Sequence, residues 1–461
     1  DYTALRQAIW WATDADYKGA VETLTRKRAY MEDKTFEDRP HDFAKQEPVE
    51  HIEPGAELAF DGDAWKKNLE RLSGHFKQYP VIQDSNVELM LGAGNGFIAN
   101  SEGTRVRTGD TGLLLTINAE VQADDGMRLS DSRSYTGETV GDLPPIDDML
   151  KDIDDMVAGL TALMTAPSID SYTGPVLFDG LASAQLFRQM LATGVAGSVD
   201  PVGTERRSFE GAESLEKQVG QRILPRSFSA YDDPTVAVFD GTPLFGHYRF
   251  DDEGVKAERV QIVSEGVLEG MAMSRVPTKK FTGSNGHGRR PPGGGSTAAC
   301  IGCLFIEDAE GTANDELKKE LIKAAKEEGL EFAFRVEAVR APTVGASRAD
   351  IMAFFMAMQS GRSGLGDPIH VYRVKVADGS EERVRGVEFG EITVRTLKRI
   401  LAAGNKPSVY NYVGFGFGGA TPASTIVAPP VLMEEVEVHK IEQEHEKPPL
   451  LLAPLARGAK S

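Results

Sequence analysis

The sequence predicts an α+β fold: N-terminal helices with an antiparallel sheet, followed by a large, mainly antiparallel β-rich C-terminal domain. Three observations carry this expectation. Helical spacing of apolar residues dominates a few stretches ahead of residue 170. Two-residue alternation replaces it between 81 and 140, and again through most of 171–440. At 461 residues the chain is also long for one core. The expected division is therefore 1–170, then 171–440, with 441–461 as an extended tail rich in proline and leucine.

Residues 1–34 read as a long amphipathic helix, with Leu5, Ile9, Ala12, Val21 and Leu24 spaced for one face. Trp10 and Trp11 are adjacent and cannot both face one core, so one of them is expected to meet a second element. Residues 35–61 are rich in Pro, Asp, Glu and His and read as an irregular connection. Trp65, Leu69, Leu72 and Phe76 fall at i, i+4, i+7 and i+11, a second helix. Strands follow, with Val87, Leu89 and Leu91 alternating, then Leu113, Leu115, Ile117, Ala119 and Val121, and turns at 100–103 and 124–126. Gly92-x-Gly94-x-Gly96 is not a dinucleotide fingerprint, because its third glycine comes one position early and no helix follows. Met149, Ile153, Met156 and Leu160 mark a third helix over roughly 146–165.

The second region opens with a short buried strand at Val176-Leu177-Phe178 and a helix from Ala182 to Ala192. Strand patterns occupy 235–239, 260–263, 332–339, 369–376, 387–394 and 431–438. One helix, 314–328, interrupts them, with Thr312-x-x-Asp315 as a capping box and Gly329 as its stop. The glycine-rich stretch Gly283–Gly295 reads as a mobile loop.

The net charge of −19, from 70 acidic and 51 basic residues, repels phosphate backbones and argues against nucleic acid as a direct partner. No apolar run approaches the ~20 residues a membrane-spanning helix needs. The two cysteines, Cys300 and Cys303, lack the second pair that zinc would require. They read as small residues entering a strand, and they leave the compartment undecided. The chain starts at Asp1, inside a helical pattern, which suggests that an upstream segment precedes it. An exported or periplasmic location is the expectation, with a cytoplasmic one as the alternative.

Phe250-Asp251-Asp252-Glu253-Gly254 leads through Arg259 and Ile262 to Glu265-Gly266-Val267-Leu268, an acidic turn followed by a hairpin. The acidic triplet can in principle bind a divalent cation, but no further carboxylates follow at ligand spacing, and it reads as a solvated turn. The hairpin is followed by Ser274-Arg275 and by Ser284-Asn285-Gly286-His287-Gly288-Arg289-Arg290. Further on come Thr312 to Gly329, Asn411-Tyr412-Val413-Gly414, and the strand closing at Pro429 to Val438. In this order they resemble the TldD/PmbA family, which contains metallopeptidases and their metal-free relatives. The resemblance implies a zinc site in the active members, built on His-Glu-x-x-x-His in the helix that opens the second domain. A cysteine from a late glycine-rich stretch completes that site. Histidines at i and i+5 point about 140° apart at ~3.6 residues per turn, so that helix must be distorted or end there.

Here the motif positions fall on Arg188, Gln189 and Thr193, and Gly414 to Gly419 contains no cysteine. No metal or other cofactor is therefore expected on this chain, and no catalytic residue is assigned. Asn285, His287, Arg289 and Gly416 are candidate cavity-lining residues. The eight histidines show no helical ligand spacing, and Ser363, in Gly-Arg-Ser-Gly-Leu-Gly, misses the nucleophile elbow by one position. His287 is the histidine nearest the implied site, although an exposed loop position is the plainer reading. The resemblance implies a non-catalytic subunit that helps form a peptide-binding cavity. It would be a homo-oligomer, or a heterodimer with a subunit bearing His-Glu-x-x-x-His, with peptide or unfolded polypeptide as its ligand. Two alternatives stand beside it. One is a hydrolase whose metal is recruited through His287, Asp251 and Glu253, and the other is a structural assembly protein.

Overall fold

The computed structural model describes residues 1–32, 41–197, 214–291, 295–341, 343–344, 352, 365–416 and 419–441. Two large hydrophobic cores organise them, one drawn from residues 72–160 and one from residues 172–438.

The N-terminal region runs α1 (Tyr2–Glu32), β1 (Glu50–Ile52), α2 (Gly62–His75), β2 (Asp84–Ala99), β3 (Arg105–Gln122), β4 (Arg128–Gly137) and α3 (Ile146–Thr165). Asp61 caps α2 by accepting from the Ala64 amide at 3.0 Å. The alternating residues Leu113 to Val121 of β3 are buried and meet Leu72 of α2 and Met149, Ile153, Met156 and Leu160 of α3. β2 and β4 pair antiparallel with β3, and β1 pairs with it in parallel. The outer halves of β2 and β3 continue beyond this core as a glycine-rich hairpin arm.

The spacing-based expectation for α1 is corrected. The helix forms, but none of its residues is buried, and Trp10 and Trp11 are 63% and 58% exposed. Neither tryptophan finds a second element among the described residues.

The C-terminal region contains two large sheets with a helix between them, and two two-stranded ribbons. It runs β5 (Ser171–Phe178), α4 (Leu181–Phe187), β6 (Phe228–Asp232), β7 (Val238–Phe239), β8 (Thr242–Pro243), β9 (Val260–Ser264), β10 (Val267–Leu268), β11 (Gly288–Arg289), β12 (Ala298–Ala299) and β13 (Cys303–Asp308). Then follow α5 (Leu317–Glu327), β14 (Phe332–Val339), β15 (Pro368–Lys375), β16 (Glu381–Val384), β17 (Val387–Phe389), β18 (Ile400–Ala403), β19 (Ser408–Gly416), β20 (Gly419–Ala428) and β21 (Val431–Lys440). One large sheet has the order β10-β9-β6-β13-β20-β19, the other β16-β15-β14-β5-β21-β17 with β18 also on β21, and the ribbons are β7-β8 and β11-β12. Most pairings are antiparallel; β5 with β14 and β13 with β20 are parallel. The core holds Phe178, Phe334 and Met433 of one sheet, Phe228, Ile306 and Ile426 of the other, and Leu186 and Phe187 of α4. α5 covers the outer face of the second sheet through Leu317, Leu321 and Ala325.

Several expected elements change. The capping box at Thr312 does not form, because the Thr312 amide donates to Ala403 O at 2.9 Å and α5 begins only after a short 3-10 turn. Gly329 does stop the helix: its φ is +74°, and the Leu330 amide returns to Ala325 O at 2.9 Å. The strands expected at 235–239 and 387–394 shorten to β7 and β17, while β6 and β18 to β20 carried too little alternation to be anticipated. Residues 442–461 and Ser363 lie outside the described residues.

Candidate functional site

α4 does not end as an α-helix. It continues as a π-turn over Arg188–Ala192, and Thr193 closes it. Bonding from i to i+5 puts more residues into each turn, which narrows the angle between positions five apart and is frequent at functional sites. This is the distortion that i and i+5 ligands would demand, and it falls on the segment named for it.

The side chains there are not ligands. Arg188, 9% exposed, lies 4.1 Å over the Tyr412 ring and donates from Nη1 to Tyr410 Oη at 3.1 Å. The two tyrosine rings stack 5.2 Å apart on β19, and burial pushes the Tyr412 phenol above its ordinary value. A Cβ at Gly414 would stand 3.2 Å from Arg188 Nη2, so the glycine leaves room for the guanidinium. Gln189 accepts from the Gly366 amide at 2.9 Å and donates to Arg340 O at 3.3 Å, joining two distant points of the chain. Thr193 is exposed. Gly416 sits at the end of β19, paired with Gly419. The structure thus brings Arg188 against the glycine stretch and directs Gln189 and Thr193 elsewhere.

The second group of candidates lies around the 284–290 stretch, and here the expectation of an exposed loop histidine is overturned. His287 is fully buried. Its Nε2 lies 2.9 Å from Asp232 Oδ1, and its Nδ1 lies 3.0 Å from Asn285 O and 2.9 Å from Asn285 Oδ1. Asn285 is oriented by the Met273 amide, which donates to its Oδ1 at 2.7 Å, and by its own Nδ2, which donates to Met271 O at 2.8 Å. Both ring nitrogens of His287 therefore face oxygen atoms. Arg289 lies 4.1 Å over the Tyr248 ring and reaches Asp252 from Nε at 3.3 Å. Asp232 Oδ2 and Arg289 Nη1 are buried with no hydrogen-bond partner.

The acidic turn is not solvated either. Asp251 is 1% exposed and accepts from the amides of Glu253, Val255 and Gly288 at 3.0, 2.8 and 2.8 Å. Burial raises its pKa, and pushes that of Glu253 up to about 6. Glu253 accepts from the Arg275 amide at 2.6 Å. Arg275 in turn anchors the N-terminal region, donating to Ala44 O at 2.9 Å and to Glu102 at 2.7 Å while lying 4.2 Å over Phe43. Gly254 faces Thr104, where a Cβ would come within 2.8 Å. The turn is thus the seat of the β2–β3 arm.

The same geometry describes the residues named for a recruited metal. His287 is spent on Asp232 and Asn285, and Asp251 and Glu253 accept from backbone amides. Among the described residues, no group of three or more His, Cys, Asp or Glu side chains could hold a metal ion.

Comparison with known proteins gives this arrangement its context. Residues 171–331 match the PmbA/TldA metallopeptidase C-terminal domain. Over these residues the chain is similar to the TldD/PmbA family. It is similar to a metalloprotease of Archaeoglobus fulgidus, 38% identical over 81 residues, covering 18% of each chain. It is also similar to a metalloprotease of Synechocystis, 26% identical over 208 residues, covering 44% of this chain and 39% of that one. The match therefore spans less than half the length of these relatives. The solved structure of TldE from Thermococcus kodakarensis shares the TldD/PmbA fold with a TM-score of 0.55 at 13% identity, covering 88% of this chain and 81% of that one. A modulator of DNA gyrase from Bacteroides thetaiotaomicron matches with the same TM-score at 14% identity, covering 88% and 77%.

Gln189, Asp251 and Glu253 each accept from backbone amides and so join separate segments of the chain. What the sequence did not disclose is the tyrosine pair on β19, whose i, i+2 spacing puts Tyr410 and Tyr412 on one face of a strand, and Asp232, the first of two adjacent aspartates, which carries no ligand spacing of its own.

Proposed function

We propose that this chain is a metal-free TldD/PmbA-related subunit that contributes to a peptide-binding cavity and supports proteolysis by a metal-bearing partner. The observation that carries the proposal is Arg188. A guanidinium stacked on Tyr412 and bonded to Tyr410 occupies the π-turn where the family resemblance puts the first zinc ligand. A fixed positive charge repels a divalent cation, and guanidinium offers five donors and no lone pair for coordination.

Arg188 of the π-turn lies against Gly414 of β19, which supports placing a peptide-binding groove along these two elements. The test is metal analysis and peptide cleavage on the purified chain, alone and mixed with a TldD-type protein that bears His-Glu-x-x-x-His. The reading predicts substoichiometric zinc and no cleavage by the chain alone, with complex formation and enhanced cleavage in the mixture. One zinc per chain, or peptide cleavage by the chain by itself, overturns it.

A further inference from the structure

The core of the N-terminal region ends at Leu91 of β2 and Leu113 of β3. Beyond that level the two strands stay paired as far as Ala99 and Arg105. Among the described residues, none from 92 to 112 joins a hydrophobic cluster. The first pair past the core is Gly92 opposite Gly112. A Cβ on either glycine would meet nothing within 4 Å, so no side chain stiffens the ribbon at that level. Glycine inside a strand weakens it and permits a bend. β1 and the residues after it belong with the arm, because the Glu53 amide donates to Arg107 O at 3.0 Å and the Ala56 amide to Asn95 Oδ1 at 2.8 Å.

The far half of the arm meets the C-terminal region through small and mostly polar contacts. Arg275 bonds to Glu102 and to Ala44, His51 lies 4.6 Å from the Phe250 ring, and Gly254 packs on Thr104 and Ile98. Elements held by few apolar contacts open at the low end of a protein's stability range. Asp110, on β3 within the arm, lies within electrostatic reach of Arg289 and His247. The Arg289 guanidinium beneath it has a buried Nη1 with no hydrogen-bond partner. We propose that the arm is a strap, which swings as one body about the Gly92–Gly112 pair and, when closed, covers the 251–255 turn and Arg289. Opening releases the contacts of Arg275, His51 and Gly254 together and costs neither core any apolar burial. It also uncovers a guanidinium with an unused donor. The strap stands whether or not the chain binds peptide.

Thiol labelling on the full chain tests this, with each site read by peptide mass spectrometry so that Cys300 is counted separately. Thr104→Cys reports from the arm and Val255→Cys from the turn; the parent residues are 3% and 8% exposed. Both thiols should label at rates set by one opening equilibrium. Adding Glu102→Ala, which removes the Arg275 partner, should speed both by the same factor, about threefold or more. Adding Gly92→Val and Gly112→Val, which touch none of the far contacts, should slow both, because β-branched side chains stiffen the strands. Amide exchange along the β2–β3 ladder should stay slow in the Glu102→Ala variant, since a swinging arm keeps its own hydrogen bonds. The proposal is overturned if Val255→Cys stays protected while Thr104→Cys labels, if Glu102→Ala speeds ladder exchange as much as labelling, or if the valine pair leaves both rates unchanged.

Discussion

Arg188 ties the π-turn to β19 through one side chain. Its guanidinium is nearly buried, lies flat on an aromatic ring and donates to a phenol, contacts worth about 2 kcal/mol or more once desolvated. Arg188→Ala should therefore lower unfolding stability in urea by about 2–4 kcal/mol, the range for emptying a buried site. Arg188→Lys should recover only part of that, since an ammonium cannot reproduce the planar contact. The His287–Asp232 pair is subject to a harsher rule. Asp232→Ala leaves an uncompensated buried imidazole and should cost about 3–5 kcal/mol. Replacing both residues with apolar ones should cost less than the single change, and chemical denaturation of the three variants measures the difference. Glu253 supplies the pH dependence. Its folded pKa of about 6 lies above its ordinary value of 4.5, mainly through burial. Its contribution is thus fully present below about pH 4.5 and is lost as pH rises through 6. Glu253→Gln, which keeps an acceptor for the Arg275 amide, should raise the melting temperature at pH 7.5 relative to the parent, and the gap should close by pH 4.5. An unchanged gap across that range would remove Glu253 as its source.

At the level of elements, what could be read in the sequence depended on periodicity. The helix at 146–165 matched its pattern because a single face of it is buried, and the strand at 332–339 matched although both its faces are covered, Phe334 and Val336 by the main core and Ala333 on the side of α5. The π-turn was foreseeable only in outline. Two ligands five apart require a distortion, but nothing in Arg188 to Ala192 itself specifies i to i+5 bonding. The loop around His287 defeated sequence reasoning for a physical reason: glycine density suggests freedom, whereas Gly286 and Gly288 are there because the Lys256 backbone and the Glu253 side chain pass close by. A Cβ at Gly286 would lie 2.2 Å from Lys256 O, and at Gly288 2.3 Å from Glu253 Oε2. Two other glycines separate strain from collision. Gly329 has φ +74° and open space around it, so Gly329→Ala should cost about 1 kcal/mol. Gly266 has φ +78° and would place a Cβ 2.4 Å from Leu224 O, so Gly266→Ala should cost several times more. Thermal unfolding of the two variants should separate them clearly.

For the whole molecule, the acidic turn and Arg275 matter more than any candidate catalytic residue, because they fasten one region to the other. Asn411 is a second fastening: it donates to Thr136 Oγ1 at 3.1 Å and to Pro243 O at 2.8 Å. Arg275→Ala should leave each core intact but loosen the hairpin arm, seen as faster proteolytic cutting near Asn100 and Gly103 with little change in circular dichroism. Periodicity predicted the fold class, and the order of short motifs resembles that of the TldD/PmbA family. Neither showed that those motifs serve assembly between regions, because contacts between residues 102 and 275, or 136 and 411, leave no local pattern in the chain.

β5 lies between β14 and β21, so the second sheet places residues 171–178 beside residues 431–440. On the ribosome, β5 emerges some 250 residues before the strand that covers its other edge, a wait of roughly 15–50 s at ~5–20 residues per second. Throughout that interval the nascent chain presents an unpaired apolar strand. Production of this protein should therefore depend on elongation rate and on holding chaperones more than its final stability suggests, and slower translation should lower the soluble yield.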